Sequence, residues 1–124
     1  RAEDAIYATK AALKEGIVPG GGVALLNASQ KITANAVGEK ILMEAIKSPY
    51  NVILENAGID NIDLPREDGY GIDVISGSGV DMIERGIIDP LLVTKSALKN
   101  AISVVNTIIS ADCVISNIRM NESN

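Results

Sequence analysis

Apolar residues recur at helical spacing from Ala2 to Glu15: Ala2, Ile6 and Leu13, with Ala5 and Ala12 beside them, while Glu3, Lys10, Lys14 and Glu15 take the other sides. Gly16 ends this first predicted helix. Ile17-Val18-Pro19 cannot continue it, because Pro19 biases Val18 to extended geometry. Three glycines, Gly20, Gly21 and Gly22, then lead into a second helical run from Val23 towards Ile32, so the triplet sits at a helix N-terminus. A third helix is expected from about Ala36 to Lys47, carrying Val37, Ile41, Met43 and Ala45. Ser48-Pro49 restarts the pattern with Ser as N-cap and Pro at the first helical position, and Gly58 stops it.

The character changes over residues 59–80, where Asp, Asn, Pro and Gly interrupt short β-branched pieces such as Ile72-Asp73-Val74-Ile75. This predicts loop with a small hairpin around Ser76-Gly77-Ser78-Gly79. Val80 to Arg85 is expected as a short helix closed by Gly86, and Asp89-Pro90 as N-cap and first-turn proline of the longest helix, to about Ser110. Val93, Ala97, Ala101, Val104, Val105 and Ile108 form its apolar stripe. Cys113 to Ile118 reads as a terminal strand whose partner lies in chain outside this sequence. The expected fold class is therefore mainly α, a helical bundle with a small β-hairpin and a C-terminal strand. No internal repeat or low-complexity tract interrupts it.

Composition narrows the chemistry. The chain has 124 residues, enough for one domain, and is 47% hydrophobic with three Tyr and no Phe or Trp, so its core is aliphatic and it offers no base-stacking surface. Eleven basic against sixteen acidic residues give a net charge of −5 with no basic cluster, which speaks against a nucleic-acid partner. With no His and a single Cys, Cys113, a His-based triad, a His zinc site and an internal disulfide are excluded, and a reducing compartment fits best. The longest uncharged stretch, Asn100 to Ala111, is too short and too polar to cross a bilayer. The chain opens at Arg1 directly in a helical pattern and reads as a piece of something longer.

Candidate chemistry is bland residue by residue. The glycine triplet would let backbone N–H groups approach a phosphate at the positive end of a helix dipole, but without a P-loop Lys or a preceding dinucleotide-type strand a plain helix–helix turn is the preferred reading of those residues alone. Asp4 suits a first-turn acid and Asp89 a simple N-cap. Gly77 and Gly79 are turn residues.

Taken in order, the same residues resemble one family nearly end to end: the group I chaperonin large subunit, the GroEL-like ring-forming ATPase that encloses unfolded proteins. Arg1-Ala-Glu-Asp-Ala5, Ala8-Thr-Lys-Ala-Ala12 and Glu15-Gly-Ile-Val-Pro-Gly-Gly-Gly-Val-Ala-Leu25 are similar to its R-V-E-D-A, A-T-R-A-A and E-G-V/I-V-x-G-G-G-x-A-L motifs. Ala45, Pro49 and Asn56-Ala-Gly58 resemble its A-x-x-x-P-x(6)-N-x-G stretch, and Tyr70-Gly-Ile-Asp-Val74 its Y-G-[YF]-[ND]-A piece. The most specific block is Val80-Asp-Met-Ile-Glu-Arg-Gly-Ile-Ile-Asp-Pro90 with Val93-Thr-Lys-Ser-Ala-Leu98.

The resemblance implies that residues 1–15 end an intermediate domain, 16–118 form the C-terminal half of an ATP-binding equatorial domain, and 119–124 are tail. It implies ATP with Mg²⁺, the metal ligands and phosphate loop lying in an N-terminal half absent from this sequence. Asp4 matches the aspartate that positions the attacking water, Gly21 the glycine whose backbone lies against the nucleotide, Asp73, Val74 and Ile75 the adenine end, and Asp89 the acid that holds the ribose hydroxyls. Gly21 thereby turns the phosphate contact into the preferred reading. Implied partners are identical subunits in a ring or double ring and, through a missing apical domain, a GroES-like co-chaperonin and unfolded clients, with no nucleic acid and no membrane. The expected place is bacterial cytoplasm, or a mitochondrial or plastid matrix.

Departures from the family pattern are local. The stretches near 33–36 and 59–69 are shorter than usual, the glycine-methionine tail is missing, Asn51 stands where Arg is common, and Val74 and Ile75 are bulkier than the usual alanines. The alternative reading is a structural helical module from a divergent chaperonin without nucleotide chemistry of its own. A stand-alone enzyme is disfavoured, because no complete catalytic constellation is present; the chain alone is expected to be inactive.

Overall fold

The computed structural model describes residues 1–60 and 67–122, with side chains as far as Ala111. Its elements run α1 (Ala2–Glu15), β1 (Ile17–Pro19), α2 (Val23–Lys31), α3 (Val37–Ala45), α4 (Ser48–Asn56), β2 (Tyr70–Asp73), β3 (Ser78–Asp81), β4 (Ile88–Pro90) and α5 (Leu91–Glu122). The fold is mainly helical with two small antiparallel sheets, as expected for part of a chaperonin equatorial domain. The part of the expected loop at 61–66 lies outside the described residues.

Local signals set most boundaries. α1 stops at Glu15 because Gly16 adopts φ 89 and its N–H caps the helix by bonding the Ala12 carbonyl. The Glu39 carboxylate accepts from the N–H groups of Asn35 (2.9 Å) and Ala36 (3.1 Å), filling orphan donors at the start of α3 and keeping its carboxyl below the ordinary glutamate value. Ser48 is the first residue of α4 and not its cap, which is Lys47, and Gly58 follows its end at φ 69.

Three sequence expectations fail. Cys113 to Ile118 is not a strand but part of α5, which runs on to Glu122. After Pro90 the chain holds neither Gly nor Pro, and a helix satisfies every interior backbone group locally where a lone strand could not. Val80 to Arg85 is not a helix: Val80 and Asp81 are taken into β3 opposite Gly71 and Tyr70, leaving a single turn closed by Arg85 N–H to Asp81 (3.0 Å) and Ile87 N–H to Met82 (2.8 Å). Asp89 does not cap α5; it pairs with Val18 in a sheet that joins Ile17–Pro19 to Ile88–Pro90, and Pro90 intervenes before Leu91. Prolines at the ends of both three-residue strands suit an edge that needs no further donor.

The core is small and off-centre. Val23, Leu26, Tyr50, Leu54 and Met82 are buried where α2, α4 and the β2–β3 hairpin meet, with Ile59, Ile72, Val80 and Ile87 packed against them. α1 lies against α5 and β4, fixed by Lys95 to Glu15 (2.8 Å) and by the Leu91 N–H to the Gly16 carbonyl (3.1 Å). The apolar stripe of α5 is exposed, as is every residue from Ala101 to Ala111.

Gly22 is the tightest point of the core. It has φ 78, and a Cβ there would stand 2.6 Å from the Tyr50 nitrogen and 2.8 Å from its Cα, backbone atoms that cannot rotate away. Gly77 has a similar φ of 70 with open space around it. Gly22→Ala should therefore cost about 1–3 kcal/mol more than Gly77→Ala, the usual range for overpacking. Amide exchange along α4 checks this: its protection should fall by roughly 5- to 150-fold more in Gly22→Ala than in Gly77→Ala.

Candidate functional site

Two chain crossings bring the candidate residues near one another. β1 delivers the glycine triplet and β4 delivers Asp89, and the two strands are paired, with the Gly20 N–H bonded to the Ile87 carbonyl at 2.9 Å. A side chain at Gly20 would be crowded, since its Cβ would sit 3.1 Å from the Ile87 backbone. Gly21 and Gly22 are both left-handed, φ 66 and φ 78, and their N–H groups have no backbone acceptor among the described residues. These donors stand at the N-terminus of α2, the positive end of a helix dipole, where backbone N–H groups can receive a phosphate.

Met82 is the floor beneath it. The side chain is 2% exposed, and its Cε would lie 2.9 Å from a Cβ on Gly21. The same side chain fills the space that a Cβ on Gly71 would need, with Sδ 3.0 Å away, while Val23 blocks that position from the other side. Gly21 thus follows a residue, Gly20, that is bonded to the Ile87 carbonyl, and has the end of the Met82 side chain packed beneath it. Met82 was not singled out by sequence reasoning, which placed it in a helix.

Asp89 is exposed on β4 and lines a shallow cleft of about 170 Å³ with Ile17, Ile88 and Pro90 and with Ala8, Thr9 and Ala12 of α1. Asp4 follows the same helical face one turn outward, at i, i+4 and i+8 with Ala8 and Ala12. Its carboxylate is 92% exposed and lies 4.0 Å from the N-terminal ammonium. Small side chains along that face leave the cleft open between the two acids.

Asp73 differs from the expectation. It is 4% exposed, and both carboxylate oxygens face its own hairpin: Oδ1 accepts the Ile75 N–H at 3.0 Å and Oδ2 the Arg85 Nε at 3.2 Å. The Ile75 N–H, ahead of Arg85, holds its carboxyl below the ordinary aspartate value despite burial. Val74 and Ile75 instead face outward at the hairpin tip, 40% and 94% exposed. The structure therefore carries Gly21 and Asp89 on neighbouring strands but at different points along them, with Asp89 opposite Val18 and Gly20 opposite Ile87; Asp4 lies on the face of α1 that lines the Asp89 cleft, and the Asp73 carboxylate is turned inward. Among the described residues no three Asp, Glu or Cys side chains gather as metal ligands.

The model of the TCP-1/cpn60 chaperonin family matches residues 1–119.

Proposed function

The chain belongs to the TCP-1/cpn60 chaperonin family, and we propose that it is the C-terminal part of a group I, GroEL-like subunit whose ATP binding and hydrolysis drive protein folding. Membership itself implies a chaperone role, assembly into an oligomeric ring and client proteins. The finer reading assigns residues 1–15 to an intermediate domain, 16–118 to the equatorial domain and 119–124 to a tail, with a GroES-like co-chaperonin as a further partner. The observation that carries it is the left-handed Gly21 turn, whose N–H groups have no backbone acceptor among the described residues and which continues the strand paired with the one bearing Asp89.

The residues fit a nucleotide at its polar end. Gly21 allows close backbone approach, and a side chain at that point would meet Met82. Gly21 would hold phosphate, Asp89 would accept from the ribose hydroxyls, and Val74 and Ile75 would lie against the base. Bound with Mg²⁺, ATP supplies the phosphoryl group whose transfer to water yields the energy of the cycle. Asp4 lies on a helix leading into this region and suits a carboxylate that orients that water after closure. The alternative, a structural helical module, draws support from one feature only, the inward-facing Asp73.

ATP-dependent recovery of a chemically denatured client, catalysed by the intact subunit and lost in Asp89→Ala, tests the reading. Equal recovery with and without ATP overturns it. The 124-residue chain alone should release no phosphate from Mg·ATP above a protein-free control, because positioning and charge stabilisation supply most phosphoryl-transfer catalysis and these residues include no phosphate loop. Turnover by the chain that vanishes in Asp4→Ala would show that its site is complete.

A further inference from the structure

A half-buried ion pair ties the end of β2 to the turn after β3 and reaches the glycine turn through one side chain. Asp73 sits at the end of β2, where its Oδ1 closes an Asx-type turn on the Ile75 N–H and its main-chain carbonyl accepts the Gly77 N–H at 2.8 Å. Its other oxygen takes the Arg85 Nε across twelve residues, with Asp73 at 5% and Arg85 at 59% side-chain exposure. Arg85 belongs to the turn that begins at Met82. That turn is fixed at its start by the Met82 N–H to the Gly69 carbonyl (3.0 Å) and at its end by the Ile87 N–H to the Met82 carbonyl (2.8 Å). Met82 in turn supports Gly21 from below, and Ile87 accepts from Gly20.

We infer that Asp73 is a positioning residue for the glycine turn: through Arg85 it seats the 82–86 turn, and so the Met82 side chain, beneath Gly21, and it does not read the base of a bound nucleotide. The inference rests on the proposed nucleotide reading for its ligand, but its structural half does not. With one oxygen held by a backbone N–H, the other by a guanidinium, and only 5% of the side chain exposed, the carboxylate offers a ligand almost no accessible surface. At the hairpin tip Val74 and Ile75 are exposed and offer apolar contact area, and the polar groups exposed beside them are Ser76 and Ser78, not Asp73.

The consequence is a pattern of losses that a base-reading aspartate would not produce. Asp73→Asn keeps an acceptor for the Ile75 N–H but gives up the charge that holds Arg85. In the intact subunit its affinity for Mg·ATP and for inorganic tripolyphosphate should fall by the same factor, about 3- to 10-fold for the loss of one partly buried ion pair. Arg85→Ala should reproduce both losses, and the double variant should fall no further than either single one. Loss of ATP affinity with tripolyphosphate affinity unchanged would assign Asp73 to the base and overturn the inference.

Amide hydrogen exchange in the ligand-free protein gives a second, nucleotide-independent reading. The Met82 and Ile87 amides should exchange about 3- to 10-fold faster in both single variants, while amides in α1 keep their wild-type rates. Unchanged exchange at Met82 and Ile87 overturns the inference whatever the ligand data show. A wild-type subunit that binds neither ATP nor tripolyphosphate would instead refute the proposed function, leaving exchange to decide the positioning role.

Discussion

Asp4→Ala in the intact subunit should slow ATP hydrolysis by about 10²–10⁴-fold, the range for loss of a positioned acid–base group, while ATP affinity stays within about twofold. Asp89→Ala should do the reverse, weakening binding more than tenfold. The division follows from placement. Asp89 is built into β4, paired with the strand that leads into the glycine turn, so on the proposed reading it meets the nucleotide as soon as one binds. Asp4 is 92% exposed in the first turn of α1, one helical turn outside the cleft that Asp89 lines, and reaches a reacting centre only if α1 closes on it. A group engaged only on closure contributes to the transition state and not to the initial complex. Calorimetric titration and single-turnover hydrolysis of both variants measure the two effects. Equal loss of ATP affinity in Asp4→Ala and Asp89→Ala would show that Asp4 touches the ground-state nucleotide.

What was legible in the sequence was what neighbouring residues decide. Gly16 and Gly58 ended helices where expected, Pro49 opened one, and Ser76-Gly77 turned a hairpin, because each acts through its own φ or its missing N–H. The errors fall where distant partners decide. Ile17-Val18-Pro19 and Ile88-Asp89-Pro90 each look like a helix boundary, and only their pairing across the chain makes them strands. Val80 to Arg85 has helical spacing, but its first two residues gain ladder bonds with Tyr70 and Gly71 that a short isolated helix could not match. Cys113 to Ile118 erred in the other direction: β-branched residues suggested a strand, although their helix penalty is only a few tenths of a kcal/mol each and no strand partner is at hand.

The candidate site divides in the same way. Gly21, Asp4 and Asp89 stood out as candidates through the ordered motifs that hold them, since taken singly the glycines read as a turn and the two acids as helix-end residues. Nothing local signalled that Asp73 would face Arg85, twelve positions on, or that Met82 would fill the space beneath two glycines. A methionine in an apparent amphipathic turn looks like any other core residue.

The isolated 124-residue chain should be a soluble self-associated species with loose tertiary packing, not a compact monomer. Few apolar side chains are buried, while Leu13, Val37 and Ile41 are 83%, 75% and 64% exposed on α1 and α3. α5 adds Val104, Val105, Ile108 and Ile109 in a segment where no charged residue occurs between Lys99 and Asp112. An apolar helix surface of this extent exceeds what a soluble monomer ordinarily leaves in water. The terminal segment is helical, so association proceeds through helix faces and not through a strand edge. A net charge of −5 keeps the assemblies in solution. Light scattering across a dilution series should give a mass above the 13.0 kDa monomer that falls on dilution, with strong far-ultraviolet helix signal and weak near-ultraviolet signal from the three tyrosines. Placing charge on the exposed face of α5 with the pair Val104→Glu and Ile108→Glu, neither of which touches the core, should shift the mass towards monomer without loss of helix. A cooperatively unfolding monomer at micromolar concentration would show that the small core around Tyr50 and Met82 suffices by itself, and that the exposed faces of α3 and α5 require no cover.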